Sequence, residues 1–232
     1  MSSPSSSTSF VSGLYVHCKG RFYRAWEVVR HSETAEPLVL YQTLYGDRGW
    51  WVRPLAMFVE QVQWQNRQVP RFALLQAEEA DRDAPVCSAP PSAHASGIAL
   101  VTTTLGSAQE AERWADLLVR HQLAACVQIT PIRSVYRWQG TVERAPEWLL
   151  ACKTPDAWAP LVAALLQALH PYALPEIRIA RSEPVSPAYA AWVQDSTRDP
   201  RCPDELLLRL HDRADKTGLQ AGMVASTSSA AM

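Results

Sequence analysis

The stretch that decides the fold is Leu123-Ala-Ala-Cys-Val-Gln-Ile-Thr-Pro-Ile-Arg-Ser-Val-Tyr-Arg-Trp-Gln-Gly140. Its apolar run from Leu123 to Ile129 predicts a buried strand. Ser134 to Trp138 extends that strand to a turn at Gln139-Gly140, and residues 141–153 return as its neighbour. We therefore expect a long antiparallel hairpin at the centre of the second half of the chain.

Elements on both sides of the hairpin complete an α+β domain. Ser107 and Glu110 form a capping box that begins a helix. Thr154-Pro155-Asp156 is interpreted as the start of a second helix, with Pro155 in its first turn. The other predicted elements are strands at 98–104 and 174–179 and a short helix at 187–193. The order β-α-β-β-α-β predicts a ferredoxin-like fold. One sheet face lacks helices, which predicts burial by oligomerisation.

The first third of the chain reads as a small all-β, barrel-like domain. Short runs rich in aromatic and β-branched residues alternate there with turn residues. The predicted strands are 14–17, 22–29, 38–41, 50–53 and 58–62. Residues 14–72 contain eight lysines and arginines and five acids, so their net charge is 8 − 5 = +3. With interleaved aromatic residues, this charge fits either an oligonucleotide-binding face or ordinary solvated arginines around a sheet.

These patterns divide the chain into five segments. Residues 13–75 form the β-rich domain and residues 98–195 the ferredoxin-like domain. A charged and then Pro/Ala/Ser-rich linker joins them over 76–97. Residues 1–12 are expected to be disordered, and residues 196–232 to be a mostly disordered tail with one weak helical stretch at 203–213.

Bulk composition excludes several classes of protein. The formal net charge of −1 argues against a strongly basic nucleic-acid binder. The five cysteines include no C-x-x-C pair, and an odd number fits reduced thiols better than a disulfide framework. The first residues lack the basic and apolar regions of a secretory signal, and no apolar run is long enough for a membrane span. A cytoplasmic protein is expected.

Motifs in order along 98–193 resemble the CutA divalent-cation tolerance family. They are Leu123-Ala-Ala-Cys126-Val, Ser134-Val-Tyr136-Arg-Trp138-Gln-Gly140, Lys153-Thr, His170-Pro-Tyr172, Pro175-Glu176-Ile and Tyr189-Ala-Ala-Trp192. The resemblance implies a homotrimer similar to PII signalling proteins, with hairpins that cross to neighbouring subunits. It further implies a cytoplasmic protein with no accepted enzymatic reaction and a link to Cu(II) or another divalent cation.

Two side chains are candidate metal ligands. Cys126 is either a soft ligand for copper or a small buried hydrophobe. His170 is either a ligand or a capping side chain that orders the loop after the second helix. The resemblance implies copper ligands at three positions, which are Thr102, Leu169 and His170 in this sequence, so only His170 retains a ligating side chain.

A second group of residues predicts a cleft for a ligand at a subunit boundary. Aromatic rings with one lysine and two acids suit a small anionic or zwitterionic ligand better than a soft metal. The alternative is that the aromatic residues near the hairpin turn pack on a neighbouring subunit. The cleft residues are Tyr136, Trp138, Glu143, Lys153, Tyr172 and Glu176.

The β-rich segment resembles a small bacterial domain family of unknown function. The matching motifs include His31-Ser-Glu-Thr34, Tyr45-Gly-Asp47 and Val52-Arg-Pro54. His31, Glu33, Asp47 and Arg53 form either a ligand pocket or a set of turn-capping side chains, and the second reading is favoured.

Three functions stay open. The first is a non-enzymatic trimer that binds a metal or small ligand. The second is an enzyme in which His170 works with Lys153 or Glu176 as acid and base. The third is an adaptor whose N-terminal domain binds nucleic acid, although nucleic acid is the least expected partner.

Overall fold

The computed structural model describes residues 10–78, 97–181 and 185–217. Most of the predicted disordered N-terminus and of the predicted linker therefore lies outside the described residues. The described chain contains an N-terminal sheet, a C-terminal four-stranded sheet with helices, and a last helix that packs against both.

The N-terminal part is a five-stranded antiparallel sheet in the order β4-β3-β2-β1-β7, and a separate hairpin joins β5 to β6. The all-β prediction is confirmed, and the hydrogen-bonded sheet is open at β4 and β7 rather than closed into a barrel. Its elements are β1 (Gly13–His17), β2 (Phe22–Arg30), β3 (Pro37–Thr43), β4 (Trp50–Pro54), α1 (Leu55–Phe58), β5 (Gln61–Trp64), β6 (Arg67–Pro70) and β7 (Phe72–Ala77).

One predicted strand is wrong. Phe58 was expected to begin a strand, but it ends the single helical turn α1 and is 1% exposed. Pro54 precedes this turn with a φ of −47° and a ψ of 130°. Proline fixes φ and cannot donate to a sheet, so the chain leaves β4 here and turns Phe58 into the core.

Both faces of β1 are buried. In β1, Leu14 and Val16 join the core that is shared with the C-terminal part. Tyr15, between them, joins a separate aromatic core with Tyr41, Phe58 and other residues. Successive strand residues point to opposite faces, so the unbroken apolar run of β1 reflects burial on both sides.

The C-terminal part has the predicted β-α-β-β-α-β order, and its sheet runs β11-β8-β10-β9. The ferredoxin-like prediction is confirmed. Ser107 caps α2 by accepting a hydrogen bond from the Glu110 amide at 3.2 Å. The elements are β8 (Ile98–Leu105), α2 (Ala108–Arg120), β9 (Cys126–Trp138), β10 (Thr141–Pro155), α3 (Ala159–Leu169), β11 (Ile177–Arg181) and α4 (Pro187–Ser196).

The start of the second long helix differs from the prediction. Thr154 and Pro155 belong to the end of β10, and α3 begins at Ala159 with Pro160 in its first turn. Thr154 does not cap the helix, because its buried hydroxyl donates to the Leu123 carbonyl at 3.0 Å. Pro155 and Pro160 are both compatible with the first turn of a helix. The bond between Thr154 and Leu123 keeps Pro155 at the end of β10, so the helix begins next to Pro160.

The tail contains a helix where the sequence predicts its weak helical stretch at residues 203–213, and this helix extends to Thr217. The helix α5 (Asp204–Thr217) places Leu206, Leu207 and Leu210 in one core with Leu14 and Val16 of the N-terminal sheet and with leucines of α3. The apolar stripe of α5 looks weak in sequence because its partners lie far away along the chain. Residues 218–232 lie outside the described part.

Candidate functional site

The β9–β10 hairpin extends beyond the rest of its sheet. β10 pairs with β8 only from Trp148 to Pro155, whereas it pairs with β9 from Thr141 to Lys153. Residues 132–147 therefore form a two-stranded arm. Large apolar side chains on this arm are exposed: Val135 63%, Tyr136 44%, Trp138 43% and Val142 50%. Such an apolar surface on a protruding ribbon marks a contact surface.

His170 ends α3 and is 8% exposed. Its Nδ1 accepts a hydrogen bond from the Tyr172 amide at 3.1 Å. Its Nε2 lies 3.1 Å from the Thr104 carbonyl oxygen, which only accepts, so Nε2 carries the proton. Burial lowers the pKa of His170 and outweighs the opposing effects of the Thr104 bond and of nearby Glu110 and Glu147. His170 is thus a neutral side chain that orders the loop.

A buried carboxylate lies beside His170. Glu147 on β10 is 8% exposed, and its Oε1 accepts hydrogen bonds from the Thr104 hydroxyl at 3.2 Å and the Tyr172 hydroxyl at 3.0 Å. Burial and this bond raise the pKa of Tyr172 to about 12, so the phenol stays a donor. Glu147 forms no ion pair with any residue that the structure describes. Both of the side chains that bond to this carboxyl group are therefore neutral donors.

The sheet register separates the predicted cleft residues. Tyr172 bonds to Glu147, whereas Tyr136 is the cross-strand partner of Glu143 on the arm and lies within electrostatic reach of Tyr172, whose pKa it helps to raise. Lys153 instead pairs with Cys126, six residues along β10 from Glu147, or roughly 20 Å for an extended strand. Glu176 has a half-exposed side chain 3.7 Å from Arg178. Trp138 lies at the end of the arm opposite Thr141.

Glu147 was missed by the sequence reasoning. Its signal was an acid between Pro146 and Trp148 in a strand that is otherwise apolar toward its end. The role of this acid can be recognised only once the fold is known, because Tyr172, whose hydroxyl bonds to it, is 25 residues away.

The candidate metal ligands do not fit a copper site within one chain. Both ring nitrogens of His170 already make hydrogen bonds. Burial and nearby Cys126 raise the pKa of Cys152 to about 12, so that thiol stays protonated. Cys126 is only half-buried, and no group of three or more ligating side chains occurs among the residues described.

No described helix is long and apolar enough to cross a bilayer.

The fold and the arm define the C-terminal part as a ferredoxin-like α+β domain with an extended hairpin. Residues 99–196 match the family described as CutA1 divalent ion tolerance protein, and residues 13–74 match a family of unknown function, DUF1653. The divalent-cation tolerance protein CutA of Thermus thermophilus is 38% identical over 99 residues, which are 42% of this chain and 96% of that protein. The chain belongs to the CutA family.

Other relatives show how much of each protein is shared. Mouse protein CutA is 32% identical, and the match covers 47% of this chain and 66% of the mouse protein. The chain spans about half the length of the chloroplastic Arabidopsis protein CutA, with 34% identity over 56% of it. The structure of CutA from Synechococcus elongatus is 39% identical, covers 44% of this chain and 91% of that one, and has a TM-score of 0.43.

Proposed function

We propose that this protein is a non-enzymatic, cytoplasmic homotrimer with a role in divalent-cation tolerance, and that it binds a small cationic ligand beside Glu147 and Tyr172. The observation that carries the ligand site is the buried Glu147 carboxylate, which has two neutral hydrogen-bond donors and no ion-pair partner among the described residues. A carboxyl group whose described partners are neutral hydroxyls has room for a charged partner, and a cationic ligand would supply one.

The charge of the ligand follows from which residues come together. The sequence grouped Lys153 with the acids and therefore favoured an anion or a zwitterion. The register puts Lys153 at the far end of β10, whereas Tyr172 bonds to Glu147 and Tyr136 lies within electrostatic reach of Tyr172. Aromatic rings beside a carboxylate attract a cation through the ring faces and through the charge.

The trimer is supported by the arm. Val135, Trp138 and Val142 expose apolar surface, and β9 is a 13-residue edge strand of its sheet. A long edge strand with apolar side chains is prone to pair with another chain. Copies of the same chain supply identical arms at equal concentration, so a closed ring of subunits covers every arm.

An acid–base enzyme is less well supported by this geometry. That alternative requires His170 to exchange a proton with Lys153 or Glu176. The ring bonds instead to the Thr104 carbonyl and the Tyr172 amide, and burial keeps it neutral.

Native mass spectrometry tests the assembly and the ligand together. The protein is measured alone, with a chelator, and with Cu(II), Zn(II), Mg(II) or tetramethylammonium. We expect a trimer in every sample and an added cation that is lost in Glu147→Gln but kept in Glu143→Gln, whose side chain is exposed on the arm. Monomers would refute the trimer. A cation that depends on His170 and Cys126, with Glu147→Gln unaffected, would instead establish the soft-metal site.

A further inference from the structure

A cleft of about 320 Å³ opens on the N-terminal sheet, far in sequence from Glu147. It lies between β2, β3, β4 and the turn that joins β3 to β4. A volume of this size falls in the range of small-molecule sites. Its lining residues are Tyr23, Tyr41, Thr43, Tyr45, Gly46, Asp47, Trp51 and Arg53.

The strand register explains why aromatic side chains converge on this cleft. Tyr41 is the cross-strand partner of Trp51, and Thr43 is the partner of Tyr23. Tyr41 and Thr43 are buried and form the floor, whereas Trp51 is 57% exposed and forms a wall. The ring centroids of Tyr23 and Tyr45 lie 5.7 Å apart, and their hydroxyl oxygens are 2.9 Å apart. The tyrosine pair holds the opposite wall in place.

Arg53 supplies a cation with unused hydrogen-bonding capacity. Its Nε is buried and has no hydrogen-bond partner in the described residues, and its guanidinium lies 5.7 Å from the Phe72 ring centroid. Arg53 lines the cleft and has no ion-pair partner among the described residues, so its charge is available to a bound anion. Positive charge also lies near this end, because burial and then Arg71, Arg53 and Lys19 lower the pKa of His17. Of these cations, Arg71 is paired with Glu60. This end of the cleft therefore favours an anionic group.

Asp47 gives the rim of the cleft a hydrogen-bond acceptor. Its Oδ1 accepts a hydrogen bond from the Gly49 amide at 3.3 Å, which orients the carboxylate within the turn. Gly46 before it has a φ of +60°, the left-handed region that glycine enters without strain. A carboxylate at this place accepts hydrogen bonds from amino groups of a ligand.

We propose that this cleft binds a nucleotide unit, with the base stacked on Trp51, the phosphate on Arg53 and an amino group of the base on Asp47. Trp51 and Arg53 lie two residues apart on one face of β4, or about 7 Å along the strand. A ribose spans a comparable distance between a base and its 5′-phosphate. Exposed tryptophan rings stack on bases of any sequence, and the arginine fork matches phosphate oxygens.

The nucleotide unit has two sources, a free nucleotide or a single-stranded nucleic acid. Isothermal titration of the full-length protein with the four nucleoside 5′-monophosphates, and with single-stranded hexanucleotides, distinguishes them. Binding of monophosphates identifies a free nucleotide as the ligand. Binding of hexanucleotides alone assigns the cleft to single strands. Both results support the site only if they depend on Trp51 and Arg53.

Matched variants test whether binding depends on Trp51 and Arg53. Trp51→Ala should weaken binding by about tenfold or more. Trp50→Ala should leave it unchanged, because Trp50 stacks on Trp26 and does not line the cleft. Arg53→Gln should weaken binding of a monophosphate but not of the nucleoside that lacks the phosphate. Arg30→Gln, at an exposed position, is its control.

Three results would overturn the proposal. The first is that the wild-type protein binds none of the nucleotides or oligonucleotides. The second is that Trp50→Ala and Trp51→Ala lose the same amount of binding affinity, and the third is that Arg53→Gln weakens binding of the nucleoside and of the nucleotide equally. Circular dichroism of each variant excludes unfolding as the cause of a loss. None of these readouts depends on Glu147, so this site and the proposed cation site are tested separately.

Discussion

The guanidinium carbon of Arg48 lies 4.9 Å from the ring centroid of Trp158, and this contact joins the N-terminal sheet to the start of α3. Arg21 and Asp199 form an ion pair between the same two parts of the chain. The leucines of α5 fill the space between the sheets, so the two parts share one core. A domain pair that shares a core is expected to unfold as one unit.

Shortening Leu207 should therefore destabilise both parts together. Leu207 is 0% exposed within the shared core, and replacing such a leucine by alanine costs about 2–5 kcal/mol. We expect Leu207→Ala to lower the free energy of unfolding in urea while the transition stays single. Leu208→Ala, at the half-buried next position, is the matched control and should cost clearly less. Two separate transitions in the wild-type protein would contradict a shared core.

Removing the Tyr172 hydroxyl should change the affinity of the site for a cation without disrupting the fold. Tyr172→Phe leaves Glu147 with Thr104 as its remaining hydrogen-bond donor. We expect a loss of about 1 kcal/mol in stability and tighter retention of a bound cation, since the carboxylate loses a neutral donor. Chemical denaturation and cation titration measure the two effects. Tyr189→Phe, whose ring packs near Trp192 on α4, should change neither.

His170→Ala should act on stability rather than on copper uptake. The ring bonds to the Thr104 carbonyl and the Tyr172 amide and ends α3, so its loss leaves buried groups without partners. The expected cost is about 1–3 kcal/mol. Native mass spectrometry with Cu(II) should show the same occupancy in this variant as in the wild-type protein. A stable variant that had lost bound copper would show that His170 is a ligand.

The arm predicts an effect on assembly. Val135 is 63% exposed on the arm, and Val119 is 41% exposed on α2. Val135→Asp should dissociate the trimer, because a charge would be buried against a neighbouring subunit. Val119→Asp introduces the same charge elsewhere and should leave the trimer intact. Light scattering after size exclusion gives the mass of each, and equal masses for both variants would argue against assembly through the arm.

Acid should destabilise the protein through His17. Burial, followed by Arg71, Arg53 and Lys19, lowers the pKa of His17 to about 4, and its Nδ1 accepts a hydrogen bond from the Lys19 amide. The unfolded chain takes up this proton near pH 6.5, so stability is full above that pH and declines as the pH falls toward 4. Urea midpoints between pH 8 and pH 4 should fall less steeply in His17→Gln. An equal dependence of the urea midpoint on pH in both proteins would show that His17 does not cause the acid sensitivity.

The sequence by itself determined the secondary structure of the C-terminal domain and its family. Helical and strand periods are local, so the capping box at Ser107 and the hairpin around Gly140 were predicted close to their observed places. One wrong prediction occurred where a partner that is distant in sequence decides the local structure. Thr154 bonds to Leu123 instead of capping α3.

Tertiary structure alone decided the sites. Glu147 is a candidate site only because Tyr172 and Thr104 approach it, and the cleft proposed for a nucleotide forms only because three strands and a turn bring their side chains together. The leucines of α5 pack in one core with Leu14 of the N-terminal sheet and with leucines of α3. These features depend on side chains whose separation in sequence carries no period, and so only the packed structure reveals them.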